Sequence, residues 1–489
     1  MSDHTKHDIT AYESAALSRH IDWKGAFVIG LAGTILVTGV TGPVIAALGS
    51  AAIPNFIITT IAGLFLCLFL AELAAMFPDR SGGAPAYAYM GFLKWPKLAP
   101  HINGVTAWAY WLGWNPVLAI NMLLIATYVN ALAKPFGYQF NPILLGAVLT
   151  VVLLFIALMG IKPGAVASYV LAILCIVPLV VIAVAPFVFR PELLDWKNLI
   201  PINVLGDSIF SKVGISLFMM YAFLTTWNAI AMEAAACYIA ECSNPKRDAP
   251  IAMILEGALG VFIYTMVPIS FLLVLGAKKI AADPYAMFVE FVNPMFGKVG
   301  VWAVTVMLLA ALLLSALNAI MGSARSLYQM SLDGQFPRIF AHCNKHNVPD
   351  FSMALNVILN IGLMLIGTPA FIMVASNVGY VISFVPVLIG YFLLRQSHPE
   401  YERPFKLPEF FKYIALLLAL GFTIVWLWGG PLWSWKYYGL GWLIMLSYIP
   451  LYLYRVRFED KMLDSHALSL SQIQVEPPAE ASQSEIAPV

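Results

Sequence analysis

The sequence predicts an all-α integral membrane protein with twelve transmembrane helices, and two observations carry that prediction. The first is composition: of 489 residues, 61% are hydrophobic and 11% are charged, and the mean hydropathy is +0.83. Soluble domains carry about 25% charged residues, so a soluble fold could not cover this much apolar surface. The second is that the apolar residues lie in runs of about 17–25 residues or more, long enough to cross a bilayer as helices.

Twelve such runs follow one another along the chain, separated by shorter polar segments. The ninth run is short, and its boundary with the tenth is not sharp. Their approximate limits are 25–48, 54–77, 104–133, 141–160, 166–190, 212–239, 251–276, 296–328, 352–368, 371–395, 411–430 and 437–455.

The segments outside the runs indicate orientation. The polar N-terminal tail, 1–22, lacks the apolar region of a cleaved signal peptide, so we expect the first run to act as the insertion signal. The tail at 456–489 is rich in Pro, Glu, Ser and Ala and predicts disorder. Of the 27 Lys and Arg residues, 19 fall on one side of the predicted membrane and 8 on the other. This asymmetry predicts a cell (inner) membrane protein with both tails in the cytoplasm.

Runs one and six contain features that interrupt helices. Run one reads "GLAGTILVTGVTGPVIAALG", and its glycines together with Pro43 favour a break. Run six carries polar residues within a stretch of small side chains. Two interrupted spans five positions apart are typical of inverted-repeat transporters. We therefore expect one five-helix repeat in 23–190, a second in 205–396, and two further helices in 397–455.

Glu233 is the only charged residue in the apolar stretch from Val213 to Ala240. It precedes Glu241 by eight residues, which places it about 12 Å along a helix from the predicted cytoplasmic interface. Burial there disfavours the charged form, at a cost of at least about 2.5 kcal/mol on insertion scales. Such a group can bind a cation, carry a proton or form a hydrogen bond to a neighbouring helix. We expect a role in proton coupling, with the interhelical hydrogen bond as the alternative.

Polar and small residues near the two interruptions are candidates for substrate contacts. A break around Ala229, Ile230 and Ala231 would leave carbonyl groups free to accept from an ammonium group, and Trp227 could close over the substrate. A break at 38–41, the sequence Thr-Gly-Val-Thr, would leave backbone N–H groups free for a carboxylate. The alternatives are a packing tryptophan and close helix–helix contact through small residues.

Other polar residues within the runs have two interpretations each. Ser315, Asn318 and Asn115 could line a cavity or form hydrogen bonds between helices. Glu72 and Glu256 lie near the predicted cytoplasmic ends of their runs, where a salt bridge or contact with the interface is expected. None of the five cysteines has the paired spacing of a metal site, so neither a metal nor a cofactor is predicted.

Four segments between the runs resemble the loops of the amino acid–polyamine–organocation transporters. "AELAAMFPDRSGGAPAYAY" (71–89) is similar to that family's first cytoplasmic loop, and "AECSNPKRDAP" (240–250) to its loop after span six. "MSLDGQFPRIFAHCNKHNVP" (330–349) and "RQSHPEYERPFKLP" (395–408) resemble the loops after spans eight and ten. The four motifs occur in the family's order, which makes the resemblance specific.

The resemblance implies the LeuT-type fold, with two inverted five-helix repeats, spans one and six unwound at mid-membrane, and alternating access. "TTWNAIAMEA" resembles the span-six segment of bacterial arginine/agmatine and diamine exchangers, in which a tryptophan gates the substrate and a glutamate follows six positions later. Trp227 and Glu233 take those places. Ala231 stands where the family usually has glycine, and Ala319 where arginine exchangers have a second tryptophan.

These observations predict a secondary active transporter, an antiporter or a proton-coupled symporter, for an amino acid or an amine derived from one. The alternative substrate is a polyamine or diamine whose ammonium pairs with Glu233. A membrane sensor, a channel or an enzyme is disfavoured, because no added signalling domain, continuous polar pore or nucleophile–base pair is visible. We expect a monomer or homodimer in the lipid bilayer, without nucleic acid. The predicted substrate-binding residues are Ile35, Thr38, Gly39, Val40, Thr41, Asn115, Trp227, Asn228, Ala229, Ile230, Ser315 and Asn318.

Overall fold

The computed structural model describes residues 17–92, 94–95, 97–284, 286–366 and 369–460, and the predictions for most of the N-terminal tail and most of the C-terminal tail lie outside them. The regular secondary structure of the described residues is helical, with two isolated β-bridges and no strand. The α-helices are α1 (Trp23–Thr34), α2 (Val37–Leu48), α3 (Ala52–Met76), α4 (Pro85–Gly91), α5 (Ala99–Trp114), α6 (Val117–Ala133), α7 (Pro142–Leu158), α8 (Ile161–Phe189), α9 (Lys212–Ile230), α10 (Pro245–Leu275), α11 (Ala277–Ala282), α12 (Met287–Leu332), α13 (Asp350–Ile366), α14 (Pro369–Ser397), α15 (Phe411–Ile424), α16 (Gly430–Trp433), α17 (Trp435–Leu446) and α18 (Tyr448–Tyr454).

Each of the twelve predicted apolar runs coincides with helical structure in the described chain. Nine helical segments there are long and apolar enough to cross a membrane, and α7 and α13 are shorter apolar helices. The first of the nine segments, Trp23–Met76, has 54 residues and combines α1, α2 and α3. The chain is therefore a multi-pass membrane protein.

Capping residues define where several of these helices begin. The Asp22 carboxylate accepts from the backbone N–H groups of Lys24 and Gly25 at the start of α1, each at 3.1 Å. The Asn141 side chain accepts from the first N–H groups of α7, and the Ser211 hydroxyl from Gly214 at the start of α9. Each side-chain oxygen satisfies backbone donors that have no partner within the helix.

Lipid-facing and core-facing helices differ in the exposure of their apolar side chains. On α7, α8 and α15, large hydrophobic residues project outward and remain exposed, among them Phe155, Ile173 and Leu417. Apolar surface of this extent is typical of contact with lipid. Inside that layer, α3 packs along α10, and α1 packs against both α10 and the residues that follow α9. These inner helices carry the interruptions on which the site depends.

Candidate functional site

The first interruption separates α1 from α2 at Ile35 and Leu36. It falls before the predicted break at 38–41, so that position was wrong: Thr38, Gly39, Val40 and Thr41 all lie inside α2. The Thr38 hydroxyl donates to the Ile35 carbonyl oxygen at 2.9 Å, and the Thr41 hydroxyl to that of Val37 at 2.7 Å. The threonines therefore bond back onto the helix, and the break occurs where α1 meets another segment.

The second interruption follows α9, which ends at Ile230. Residues Ala231–Glu241 form a 3-10 helix of 11 residues, so the change in helix type falls at the predicted break. Runs of 3-10 helix longer than three or four residues are uncommon because their hydrogen-bond geometry is poorer, and within a helix they often mark a hinge. The change occurs at Ala231 without the glycine that the family resemblance led us to expect.

The two interruptions touch each other. A Cβ atom placed on Gly33 would lie 1.8 Å from the carbonyl oxygen of Ala231, so only glycine allows this approach. Tyr264, from α10, donates from its hydroxyl to the carbonyl oxygens of Gly33 (3.3 Å) and Asn228 (3.2 Å). One side chain therefore joins the end of α1 to the end of α9.

Buried polar atoms without a hydrogen-bond partner in the described chain lie beside these ends. The Thr34 hydroxyl is next to the first break, and the Asn228 side-chain oxygen is in the last turn of α9. Both residues are fully buried. Because more than 90% of buried polar groups in proteins are hydrogen-bonded, such atoms call for a specific explanation. The predicted residues Ile35, Trp227, Ala229 and Ile230 are buried at the same two ends.

Glu233 lies in the first turn of the 3-10 helix and is fully buried. Its carboxylate accepts hydrogen bonds from the hydroxyls of Tyr110 (2.9 Å) and Tyr380 (2.9 Å) and a longer one from the indole N–H of Trp114 (3.4 Å). The three donors come from α5 and α14, so Glu233 connects the 3-10 helix to two other helices. We call Glu233, Tyr110, Tyr380 and Trp114 the Glu233 cluster.

The remaining predicted contacts divide into two groups. On α12, the Asn318 side-chain oxygen accepts from the Tyr238 hydroxyl, and the Ser315 hydroxyl is buried without a partner in the described chain. Asn318 therefore lies beside the 3-10 helix. Asn115 lies between α5 and α6 and accepts from the Asn360 side chain at 2.8 Å, as the interhelical interpretation predicted.

Three other acids in or near the predicted spans have different partners. Glu72 pairs with Arg395 and Arg403, which confirms the expected salt bridge. Glu241, at the end of the 3-10 helix, forms a fully buried two-point pair with Arg325. The expectation of a salt bridge or interfacial position was wrong for Glu256, which is fully buried and appears in no ion pair of the described residues.

Sequence reasoning missed the donors of the Glu233 cluster and the bridge made by Tyr264. A signal was present, because tyrosine and tryptophan within an apolar run need a partner for their O–H or N–H group when buried. It also missed the break between α5 and α6, where Pro116 follows Asn115 and cannot donate to a helix. No group of three His, Cys, Asp or Glu residues within the described part of the chain could hold a metal ion.

Comparisons with known proteins place the chain in a family. The profile described as "Amino acid permease" matches residues 21–449. The chain is 25% identical to "Polyamine transporter RMV1" of Arabidopsis thaliana over 70% of this chain and 66% of that protein. It is 24% identical to "Putrescine transporter PotE" of Escherichia coli over 71% and 76% of the two chains.

Other relatives match over shorter stretches. Identity to the "Arginine/agmatine antiporter" of Chlamydia trachomatis is 25%, over 59% of this chain and 58% of that protein. For mouse "Solute carrier family 7 member 13" it is 27%, over 45% and 46%. The matched regions thus cover about half to two thirds of the length of the mouse solute carrier, the antiporter and RMV1. The family and its relatives are transporters and not enzymes, and since the profile covers most of the sequence, this chain belongs to the amino acid permease family within the amino acid–polyamine–organocation transporters.

Proposed function

We propose that the protein is a secondary active transporter that moves an amino acid, or an amine derived from one, across the cell membrane by alternating access. The proposal rests on one observation: the ends of the interrupted helices α1 and α9 meet at Tyr264, and the buried carboxylate of Glu233 lies in the 3-10 helix that follows α9. Interrupted helices supply backbone dipoles in the middle of a membrane, where a small zwitterion or amine needs polar partners.

The proposed fold has twelve crossings. The segment Trp23–Met76 would be about 81 Å long as one helix, against about 30 Å of hydrocarbon, so it accounts for two crossings. With the other eight long segments and the shorter α7 and α13, this gives twelve. The Lys and Arg distribution favours both termini in the cytoplasm.

Contacts between helices support two inverted repeats of five spans. We number the spans so that α5 and α6 form span three, α8 span five, α12 span eight and α14 span ten. Span three contacts span ten, and span eight contacts span five. In two five-span repeats, span three of the first corresponds to span eight of the second, and span five of the first corresponds to span ten of the second. The two contacts are therefore equivalent. Likewise α1 (span one) contacts α10 (span seven), and α9 (span six) contacts α3 (span two). Such paired contacts are expected if 23–190 and 205–396 share one architecture.

In the proposed site the substrate binds between the two interruptions. Its carboxylate would face the N-terminal end of α2, from Val37 towards Val40, where the helix dipole is positive. Its ammonium group would face the carbonyl groups of Ile35 and of the last turn of α9, from Trp227 to Ile230. Trp227 would act as a gate, and Ser315 and Asn318 would approach from α12.

Glu233 is the proposed coupling group. Three side-chain donors hold its carboxylate, and a proton on Glu233 would weaken these bonds because hydrogen bonds to a charged acceptor are stronger than those to a neutral one. Protonation would therefore loosen the contact between the 3-10 helix and α5 and α14. This links occupancy by a proton to a movement of helices, and either exchange or proton symport fits it.

The test uses purified protein in liposomes with a radiolabelled amino acid. Glu233→Gln keeps the shape of the side chain but cannot ionise, and we expect transport that is slower and no longer depends on pH. Glu290→Gln is the control, because Glu290 pairs with Lys279 and is partly exposed. If Glu233→Gln transports with the parent's rate and pH dependence, Glu233 is not the coupling group.

A polyamine or diamine is the second candidate substrate, favoured by the relatives named as polyamine and putrescine transporters. Glu233 would then pair directly with an ammonium group. A thermal-shift screen separates the two, since a ligand that binds the folded state raises its apparent stability. Stabilisation by putrescine and by no amino acid would favour the diamine; the reverse result would favour an amino acid.

A further inference from the structure

Glu256 is a second buried carboxyl group, located in α10 between α1 and the 3-10 helix. It is fully buried, and one of its oxygens accepts a hydrogen bond from the backbone N–H of Ala235 at 3.3 Å. The other oxygen has no hydrogen-bond partner among the described residues. A Cβ atom on Gly30 would lie 2.6 and 2.7 Å from the two oxygens, so the carboxyl group rests directly against the backbone of α1.

The partners of Glu256 differ from those of every other buried glutamate described above. Glu233 has three side-chain donors, and Glu72 and Glu241 each face arginine. Glu256 has one long backbone hydrogen bond. An ionised carboxylate without a cation or several donors is very costly in an apolar interior, so a group in this position takes up a proton instead.

The ionisable groups that face Glu256 do not favour its charged form. From the 3-10 helix these are Glu233, Cys237 and Tyr238, and from α3 it is Cys67. From α1, no ionisable residue lies between Gly25 and Thr34. All of these neighbours are neutral or negative, and none is a cation. Glu233 and Glu256 thus differ in what could stabilise a charged form: three side-chain donors surround Glu233, whereas Glu256 has one long backbone hydrogen bond.

The contact between α1 and the 3-10 helix is what keeps Glu256 from water. Two glycines make the contact possible, because Gly30 lies against Ala235 and Gly33 against Ala231. We call this contact the Gly30–Gly33 seam. It joins a helix that ends at an interruption to a segment of the less stable 3-10 type, so a small displacement of α1 would open it. Opening the seam would admit water to Glu256.

We propose that Glu256 carries a proton whose binding is coupled to closure of the Gly30–Gly33 seam. With the seam closed, the side chain is a neutral carboxylic acid. When α1 separates from the 3-10 helix, the O–H bond breaks, the proton passes to water, and the carboxylate that remains is hydrated. Closure takes up one proton again. This inference rests on the proposed alternating access, and it adds a second titratable group that acts through α1 and not through the Glu233 cluster.

Coupling to one proton has a quantitative consequence. Where the proton is released on opening, the equilibrium constant for opening rises about tenfold for each pH unit. Alkaline conditions therefore favour the open seam and acidic conditions the closed one. A glutamine at position 256 has no proton to release, so its opening constant is independent of pH.

Backbone hydrogen exchange measures that constant directly in the purified full chain, without substrate. Exchange of the amides from Ala231 to Glu241 is followed between about pH 5 and pH 9 and corrected for the intrinsic rate, since local opening determines exchange of protected amides. We expect the opening constant of the parent protein to rise with pH by up to about tenfold per unit, and that of Glu256→Gln to stay constant. Glu290→Gln is the comparison, because Glu290 is partly exposed and pairs with Lys279, and it should keep the parent's slope.

Two results would overturn the proposal. One is an opening constant in the parent protein that does not change with pH; this measurement needs no variant and so does not depend on the folding of Glu256→Gln. The other is an equal slope in the parent and in Glu256→Gln. Transport assays remain separate: a protein with pH-linked opening that moves no amino acid or amine would refute the proposed function and leave the role of Glu256 intact.

Discussion

Gly33 allows a sharp test of the junction between α1 and the 3-10 helix through the substitution Gly33→Ala. The added Cβ atom would lie 1.8 Å from the Ala231 carbonyl oxygen and 2.3 Å from its carbon. Even close carbon–oxygen contacts in proteins are about 3.3 Å long. The two segments would therefore have to separate by about 1.5 Å, and the atoms in the way belong to the backbone, which cannot rotate aside.

The magnitude follows from three contributions. Overpacking of a tight contact costs about 1–3 kcal/mol. Separation also weakens the hydrogen bond that the Tyr264 hydroxyl shares between the two carbonyl oxygens, at about 0.5–1.5 kcal/mol. Replacing glycine by alanine within a helix returns about 1 kcal/mol. We expect Gly33→Ala to lower the free energy of unfolding by about 0.5–3.5 kcal/mol.

Gly39→Ala is the matched control, because it makes the same chemical change in the same span. A Cβ atom at Gly39 meets no atom within 4 Å, and the residue lies inside α2. This variant should be as stable as the parent or up to about 1 kcal/mol more stable. Both are compared by denaturant unfolding in detergent micelles, followed by circular dichroism. Equal stability of the two variants would refute the close approach of Gly33 to Ala231.

Three further predictions concern other contacts of the same structure. Glu241→Gln leaves the buried Arg325 without its charge partner and should lower the free energy of unfolding by about 3–5 kcal/mol in the same micelle assay. A loss below about 1 kcal/mol would show that the pair is not buried. Tyr380→Phe removes one of three donors to Glu233, so we expect the free energy of unfolding, measured by thermal unfolding, to fall by about 1–3 kcal/mol. The pH dependence of transport should also change, and an unchanged pH profile would argue against the hydrogen bond. Burial raises the pKa of the Cys343 thiol, in the loop before α13, from 9.0 to about 12. This lowers its thiolate fraction at neutral pH about 1,000-fold, so maleimide labelling followed by mass spectrometry should find the thiol nearly unreactive. Labelling as fast as that of free cysteine would contradict this.

The helices were predictable because their signal is local. Hydropathy over about 20 residues depends on neighbours in the sequence, and all twelve predicted runs contain helical structure in the described residues. The change of helix type after Ile230 was also predictable, since polar and small residues mark it. The break in the first span was misplaced by three residues, because glycine and threonine show where a helix can end, whereas contact with Ala231 and Tyr264 determines where it does end.

The site was predictable only in part. The sequence identified Glu233 as exceptional, because a single acid within a long apolar run is visible without any structure. It could not supply the partners, because Tyr110 and Tyr380 lie 123 and 147 residues away in the chain. It also treated Glu72 and Glu256 alike, although one faces two arginines and the other faces glycine and a backbone N–H group.

By itself, then, the sequence determined that this chain lies in a membrane, which segments are helical, and which residues are unusual within them. Composition and periodicity settle these points, because the energy of placing each side chain in lipid depends on its own chemistry. Only the tertiary structure decided which carboxyl group has donors and which has none. Hydrogen bonds and close backbone contacts form between segments far apart in the chain, and the protonation of a buried acid follows from those neighbours.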